Sequence, residues 1–182
     1  PRAVERSMEL VNDWLDLDRL ANITPDSKRF PLWNSDLGRD MEAETLAFFK
    51  EVAWNQNRPL ADLLNAKVTF ATPRLAQHYG LAVSSRSEAS RGALVKYNLQ
   101  SVSERGGLLT QGSLLTIGGD EASMVTRGLF ILQNLLRSGV QDPPPCVDTT
   151  PVATKRVVTT RHITESRVHN PAGRGCHVEF EP

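Results

Sequence analysis

Asn34-Ser35-Asp36-Leu37-Gly38-Arg39-Asp40-Met41-Glu42-Ala43-Glu44-Thr45-Leu46-Ala47-Phe48-Phe49-Lys50-Glu51-Val52-Ala53-Trp54 sets the fold class. Met41, Thr45, Phe48 and Val52 recur at helical intervals and line one face, while Glu42, Lys50 and Glu51 fall on the other. The polar run Asn34-Ser35-Asp36 opens this helix and Trp54 closes it. Towards the N-terminus, Val4, Met8, Val11 and Leu15, with Trp14 beside them, predict a second amphipathic helix over residues 3–16 that packs into the core. Towards the C-terminus, Pro59 suits the first position of a short helix carrying Leu60, Leu63 and Leu64, because its missing N–H has no partner there anyway. Thr72 can cap, Pro73 can start and Gly80 can stop a further short helix over Pro73–Tyr79.

The segment from Ala82 to Tyr97 is rich in Ser and Arg, has no sustained period and predicts an exposed loop. Gly106-Gly107-Leu108-Leu109-Thr110-Gln111-Gly112-Ser113-Leu114-Leu115 fits helix or buried strand, and periodicity does not choose. Ser123 can cap a helix with the stripe Val125, Leu129, Leu132 and Leu136, and Gly139 lies just past its end. Pro143-Pro144-Pro145 forbids helix and favours an extended arm from 140 to about 170 over the helical body. With no clear period-2 strand and no internal repeat, the expectation is a mainly α fold: an irregular helical domain with an extended Pro-rich C-terminal arm. The expected divisions are a helical domain over 1–81, a loop or excursion over 82–104, a second helical domain over 105–139 and the arm over 140–182.

Twenty-one basic residues balance 21 acidic ones, which argues against a nucleic-acid binder held by bulk positive potential. No apolar run reaches the ~18–20 residues of a membrane span. The start, Pro1-Arg2-Ala3-Val4-Glu5-Arg6, has neither an initiator Met nor a signal-peptide core and reads as processed or cut. Two cysteines, Cys146 and Cys176, are too few for a disulfide scaffold; they can form one bridge, stay free or attach a group.

The segment most informative about chemistry runs from Arg161 to Pro182 and holds three of the four histidines. A c-type haem is attached where two thiols three positions apart add to its vinyl groups and the following His ligates the iron. Cys176-His177 is the second half of that pattern; Gly173 stands where the first thiol belongs. A bare Cys-His pair is equally a buried Cys beside a surface His. For a sixth ligand the chain offers His162, His169, Met41 and Met124. His169 is only eight residues from His177, and the turn favoured by Asn170-Pro171 makes opposite-side ligation awkward, whereas His162 has more slack; each alone reads as a solvent-facing imidazole. His78 reads as a helix-end residue. Gly118-Gly119-Asp120-Glu121 reads as a turn leading to a cap, and the pairs Asp16/Asp18 and Asp36/Asp40 as solvated helix ends. No Gly-Lys-Ser/Thr phosphate loop and no Gly-x-Ser-x-Gly elbow is present, so nothing points to a kinase or hydrolase.

Leu64–Phe70 through Arg74-Leu75-Ala76-Gln77-His78-Tyr79-Gly80-Leu81 is similar to a helical-hairpin stretch of the large secreted, cytochrome-like multidomain proteins of planctomycetes, myxobacteria and relatives, which are built from consecutive domains of unknown function. Arg105–Ser113, Arg127-Gly128, Asn134-Leu135-Leu136 and Pro143-Pro144-Pro145 resemble the next domain of that family in order and spacing. Together these stretches span nearly the whole chain. The family's counterpart of 170–182 commonly reads Asn-Pro-Ala-Cys-x-x-Cys-His and continues into a further domain, which implies that this chain is a fragment or a split subunit. The resemblance implies a bacterial periplasmic or secreted protein in which haem c is anchored by Cys176 and ligated by His177; for the distal position the spacing offers His162 as a candidate. It also implies a redox partner protein or a larger membrane-associated complex, with no nucleic acid. Gly173 leaves two alternatives to that: a domain that has lost its haem and acts as a cofactor-free helical scaffold or interaction subunit, or a Cys146–Cys176 bridge.

Overall fold

The computed structural model describes residues 2–83, 92–119, 123–140, 159–169 and 171–178; the Pro-rich run lies outside them. The fold is mainly α, as the sequence predicts. By internal contact it divides into two compact units, Pro1–Ala122 and Ser123–Pro182.

In the first unit α1 (Arg2–Trp14) leads through Asp16, which turns the chain in a left-handed conformation (φ 48°), into a 3-10 turn over Leu17–Ala21. Arg19 stands over this corner. Its Nη1 donates to the carbonyls of Leu15 (2.9 Å) and Asp16 (2.5 Å), acceptors that the end of a helix leaves unpaired. Burial pushes the Arg19 pKa down from its usual value, and its Nη2 also donates to the Ser113 carbonyl.

The central element is α2 (Ser35–Phe49), which continues as a π-turn over Lys50–Asn55. Asn34 caps it, accepting from the Leu37 N–H at 2.9 Å. Leu37, Met41, Phe48 and Val52 are buried along its predicted face, and α1 contributes Val11 and the adjoining Leu15 to the same core. A 3-10 turn over Leu60–Leu64 follows Pro59. Next comes α3 (Pro73–His78), built with the expected devices: Thr72 Oγ1 accepts from the Leu75 N–H at 3.2 Å and Pro73 opens the first turn. Gly80 (φ 68°) ends α3, with Leu81 N–H bonded to Ala76 O and Gly80 N–H to Gln77 O, a Schellman closure.

The segment before α3 departs from the helical-hairpin expectation. Val68–Ala71 is a strand, β1, paired antiparallel with β2 (Val95–Asn98) in the register Val68 with Asn98 and Ala71 with Val95. The expected loop over 82–97 therefore ends in a strand. Lys96 on β2 pairs with Glu51 on the π-turn of α2. After β2 the chain makes a 3-10 turn over Leu108–Thr110 and a one-turn helix, α4 (Gly112–Leu115), so the ambiguous 106–115 run resolves as helical turns. Gly107 must be glycine: its φ is 71°, and a Cβ there would stand 2.1 Å from the Leu64 carbonyl oxygen.

In the second unit α5 (Met124–Phe130) is capped by Ser123, whose Oγ accepts from the Thr126 N–H at 3.2 Å, and passes into a π-turn over Ile131–Leu135. Arg137 (φ 53°), rather than Gly139, takes the left-handed position after it. Then α6 (Thr160–His169) and α7 (Pro171–His177) follow and contact one another. No helix among the described residues is long and apolar enough to cross a membrane.

Candidate functional site

The residues singled out in the sequence fall on several elements. Cys176 and His177 end α7, on adjacent positions of its last turn, with Gly173 one helical turn before Cys176. The His177 ring is half-buried. His162 is exposed in the first turn of α6, where its N–H donates to Thr159 Oγ1 at 3.2 Å. The His169 ring is engaged by its own helix, with Nδ1 2.7 Å from the Glu165 carbonyl oxygen. Met124 opens α5, and Met41 lies in the first unit, almost fully buried. No three His, Cys, Asp or Glu side chains converge on a metal-sized site among the described residues.

Thr45, Glu44 and Tyr79 form a second constellation, in the first unit, that the sequence reading did not pick out. Glu44 is 1% exposed on the inner face of α2. Its Oε1 accepts from Thr69 Oγ1 of β1 and its Oε2 from the Tyr79 hydroxyl at 2.5 Å. That hydroxyl in turn accepts the Gly112 N–H at 2.8 Å. The Arg105 guanidinium lies over the Tyr79 ring, 3.6 Å from its centroid, and donates to the Thr110 carbonyl at 3.1 Å. Glycine at 112 permits this close approach: a Cβ there would fall 2.6 Å from the Tyr79 hydroxyl and 2.7 Å from Met41 Sδ, so those side chains would have to shift. Beside it Thr45 Oγ1 sits 2.6 Å from Ser113 Oγ, 2.8 Å from Gln111 Oε1 and 3.1 Å from the Met41 carbonyl. A hydroxyl carries one proton, so Ser113 donates to Thr45, which donates onward to Gln111 or Met41.

Burial pushes the Glu44 carboxyl up to about 7, against the opposing hydrogen bonds of Thr69 and Tyr79 and the charge of Arg105. Burial first, and then the Glu44 charge, hold the Tyr79 phenol well above its usual range, so it stays a donor. Glu44 is thus a group that exchanges its proton near neutrality inside a fixed set of donors. One signal was present in the sequence: Glu44 stands three residues after Met41 and four before Phe48, a carboxylate on an apolar stripe.

Asp40 and Asp36 are not merely solvated ends. Asp40 is buried and its Oδ2 accepts from Thr72 Oγ1 (2.7 Å) and Arg74 Nε (2.8 Å), while Arg74 Nη1 reaches Asp36 Oδ2 at 2.9 Å. A hydrogen bond from Arg39, then the charges of Arg74 and Arg39, hold the Asp36 carboxyl below its usual range. The network ties α2 to the start of α3 and is structural. Asp16 and Asp18 behave as read: both are exposed, and Asp18 accepts from Asn12 Nδ2 at 2.9 Å.

No curated protein and no solved structure matches the chain. Residues 1–81 match the family model PSD4, described as a protein of unknown function (DUF1592). Residues 105–182 match the model PSCyt3, also described as a protein of unknown function (DUF1588). The chain thus carries two domains of unknown function in tandem, DUF1592 followed by DUF1588.

Proposed function

We infer that the chain is a c-type cytochrome-like electron-transfer module of a secreted or periplasmic bacterial redox protein, with haem c anchored through one thioether to Cys176 and ligated by His177. The observation that supports this reading is the placement of Cys176 and His177 on the last turn of α7. That spacing would let one short segment supply both a covalent anchor and an iron-ligating imidazole. The donor set fits one attachment: one thiol, one adjacent imidazole, and a glycine in place of the other thiol. When bound, haem supplies the one-electron couple. Cys176 and His177 would hold it, with His162 on α6 as the distal candidate and a redox partner protein or larger complex as the electron's source or sink.

The second unit is also built as something that needs completing. Val125, Leu129 and Leu132 of α5 and its π-turn, with Ile163 and Val168 of α6, are only half-buried, and none of its residues of described burial is fully enclosed. A unit of about 60 residues is near the lower limit for a self-sufficient core, below which cofactors or partners commonly supply the missing contacts. The same half-exposed stripes favour a second reading, a cofactor-free scaffold that docks these faces on other subunits.

A pyridine haemochrome spectrum and mass spectrometry of the 168–182 peptide separate the two. Electron transfer requires a haem adduct on Cys176, with the reduced band to the red of a doubly linked haem because one vinyl stays conjugated. Cys176→Ala then abolishes covalent haem, and His177→Ala keeps the thioether but perturbs the iron spectrum. An unmodified Cys176 thiol, or a Cys146–Cys176 disulfide, in native protein from a haem-competent host removes this reading and leaves the scaffold.

A further inference from the structure

Bordered by Tyr79, the first unit holds an open cavity of about 360 Å³. That size lies within the ~300–1,000 Å³ of small-molecule sites. Its walls are apolar and rich in rings: Phe30, Pro31, Trp33, Met41 and Leu115. Its charged lining is of one sign. Arg29 and Arg105 border it, and no carboxylate stands among its described lining residues. Neither guanidinium is in an ion pair within 4.0 Å among the described residues, although the Arg105 charge also acts on the buried Glu44 carboxyl; Arg29 lies over the Phe30 ring (5.7 Å to its centroid) and Arg105 over Tyr79. His78, on the rim, has its pKa lowered by partial burial and then by the Arg105 charge, so the imidazole adds no competing need for an anion at neutral pH.

We propose that this cavity binds a small aromatic carboxylate. A flat ring stacks on Phe30 and Trp33, where aromatic faces meet at offset or edge-on angles. The carboxylate is held by the Arg29 and Arg105 guanidinium groups, whose planar forks match a carboxylate's two oxygens. An uncharged aromatic gains the same walls but not the two cations, and an aromatic amine meets repulsion. The proposal uses none of Cys176, His177 and His162 and stands or falls without the haem reading.

The test is calorimetric titration of the full chain with 2-naphthoate and with its uncharged isostere, 2-naphthamide. The expected result is saturable one-site binding of naphthoate, at least tenfold tighter than naphthamide. Leu115→Glu places a carboxylate in the wall at a partly exposed position and is expected to weaken naphthoate at least tenfold, with an unchanged far-ultraviolet circular dichroism spectrum and melting curve. Arg29→Gln, at an exposed position, is expected to weaken it severalfold. Equal binding of the two probes, no binding of naphthoate, or naphthoate binding unaffected by Leu115→Glu in a folded variant would each overturn the proposal.

Discussion

Glu44 carries more of the fold's pH dependence than its surroundings suggest from sequence. Its carboxyl is raised from 4.5 to about 7 because a charge is costly inside a buried cage, even one with two hydroxyl donors and a guanidinium nearby. The folded chain therefore binds this proton more tightly than the unfolded chain. The stabilisation is fully present below the unfolded value and is lost as pH rises through about 7. The shift corresponds to about 3 kcal/mol. Glu44→Gln keeps the shape and mimics the protonated form, so its urea midpoint should lack the fall that Glu44 adds to the wild type between pH 5 and pH 8. His78 works in the opposite direction over the lower part of that range, because its pKa is lowered and folding favours its neutral form. Comparing the two proteins at each pH cancels that contribution. Parallel pH profiles for wild type and Glu44→Gln would show that Glu44 titrates as an ordinary carboxylate.

The elements divide into those with a local cause and those without one. Thr72, Pro73 and Gly80 announce α3 because a cap, a fixed φ and a left-handed exit each act within one turn. The same holds for Ser123 before α5. The strand β1 was not legible: Val68-Thr69-Phe70-Ala71 is too short for alternation to show, and its partner lies across a Ser- and Arg-rich stretch. What makes it a strand is packing against α2, where Thr69 meets Glu44. Thr72 joins the two kinds of information, since its hydroxyl caps α3 locally and donates to the buried Asp40 at long range. Thr72→Val should cost about 2 kcal/mol in denaturant unfolding, from a lost cap and a buried carboxylate short of one donor. Thr72→Ser should recover most of it. A loss of similar size in Thr72→Ser would show that the hydroxyl's bonds to Leu75 N–H and Asp40 do not account for the cost.

At the scale of the whole chain, the two family matches meet in the gap between residues 81 and 105, whereas the first compact unit runs on to Ala122. The physical reason is the belt from Arg105 to Ile117. Leu108, Leu114 and Ile117 are buried in the first unit's core, Gln111 and Ser113 bond Thr45, Gly112 bonds Tyr79, and the Ser113 carbonyl takes Arg19. This belt was visible in the sequence as Gly- and Leu-rich text, but its role depends on α2, where Thr45 lies 66 residues before Gln111 and 68 before Ser113, and no local pattern reports a contact of that range. Three buried aliphatic side chains at about 2 kcal/mol each amount to about 6 kcal/mol before any polar group is counted. Removing the belt also strips Glu44 of the Arg105 charge and Thr45 of its side-chain partners. A domain's whole stability is about 5–15 kcal/mol. A chain cut after Ala122 is therefore expected to unfold in one cooperative urea transition, whereas a chain cut after Glu104, at the edge of the second family match, should lack one and show collapsed near-ultraviolet dichroism. If the shorter chain melts with the same midpoint and slope as the longer, the belt is packing added to a core already complete, and Glu44 must find its buried setting from α2, β1 and α3 alone.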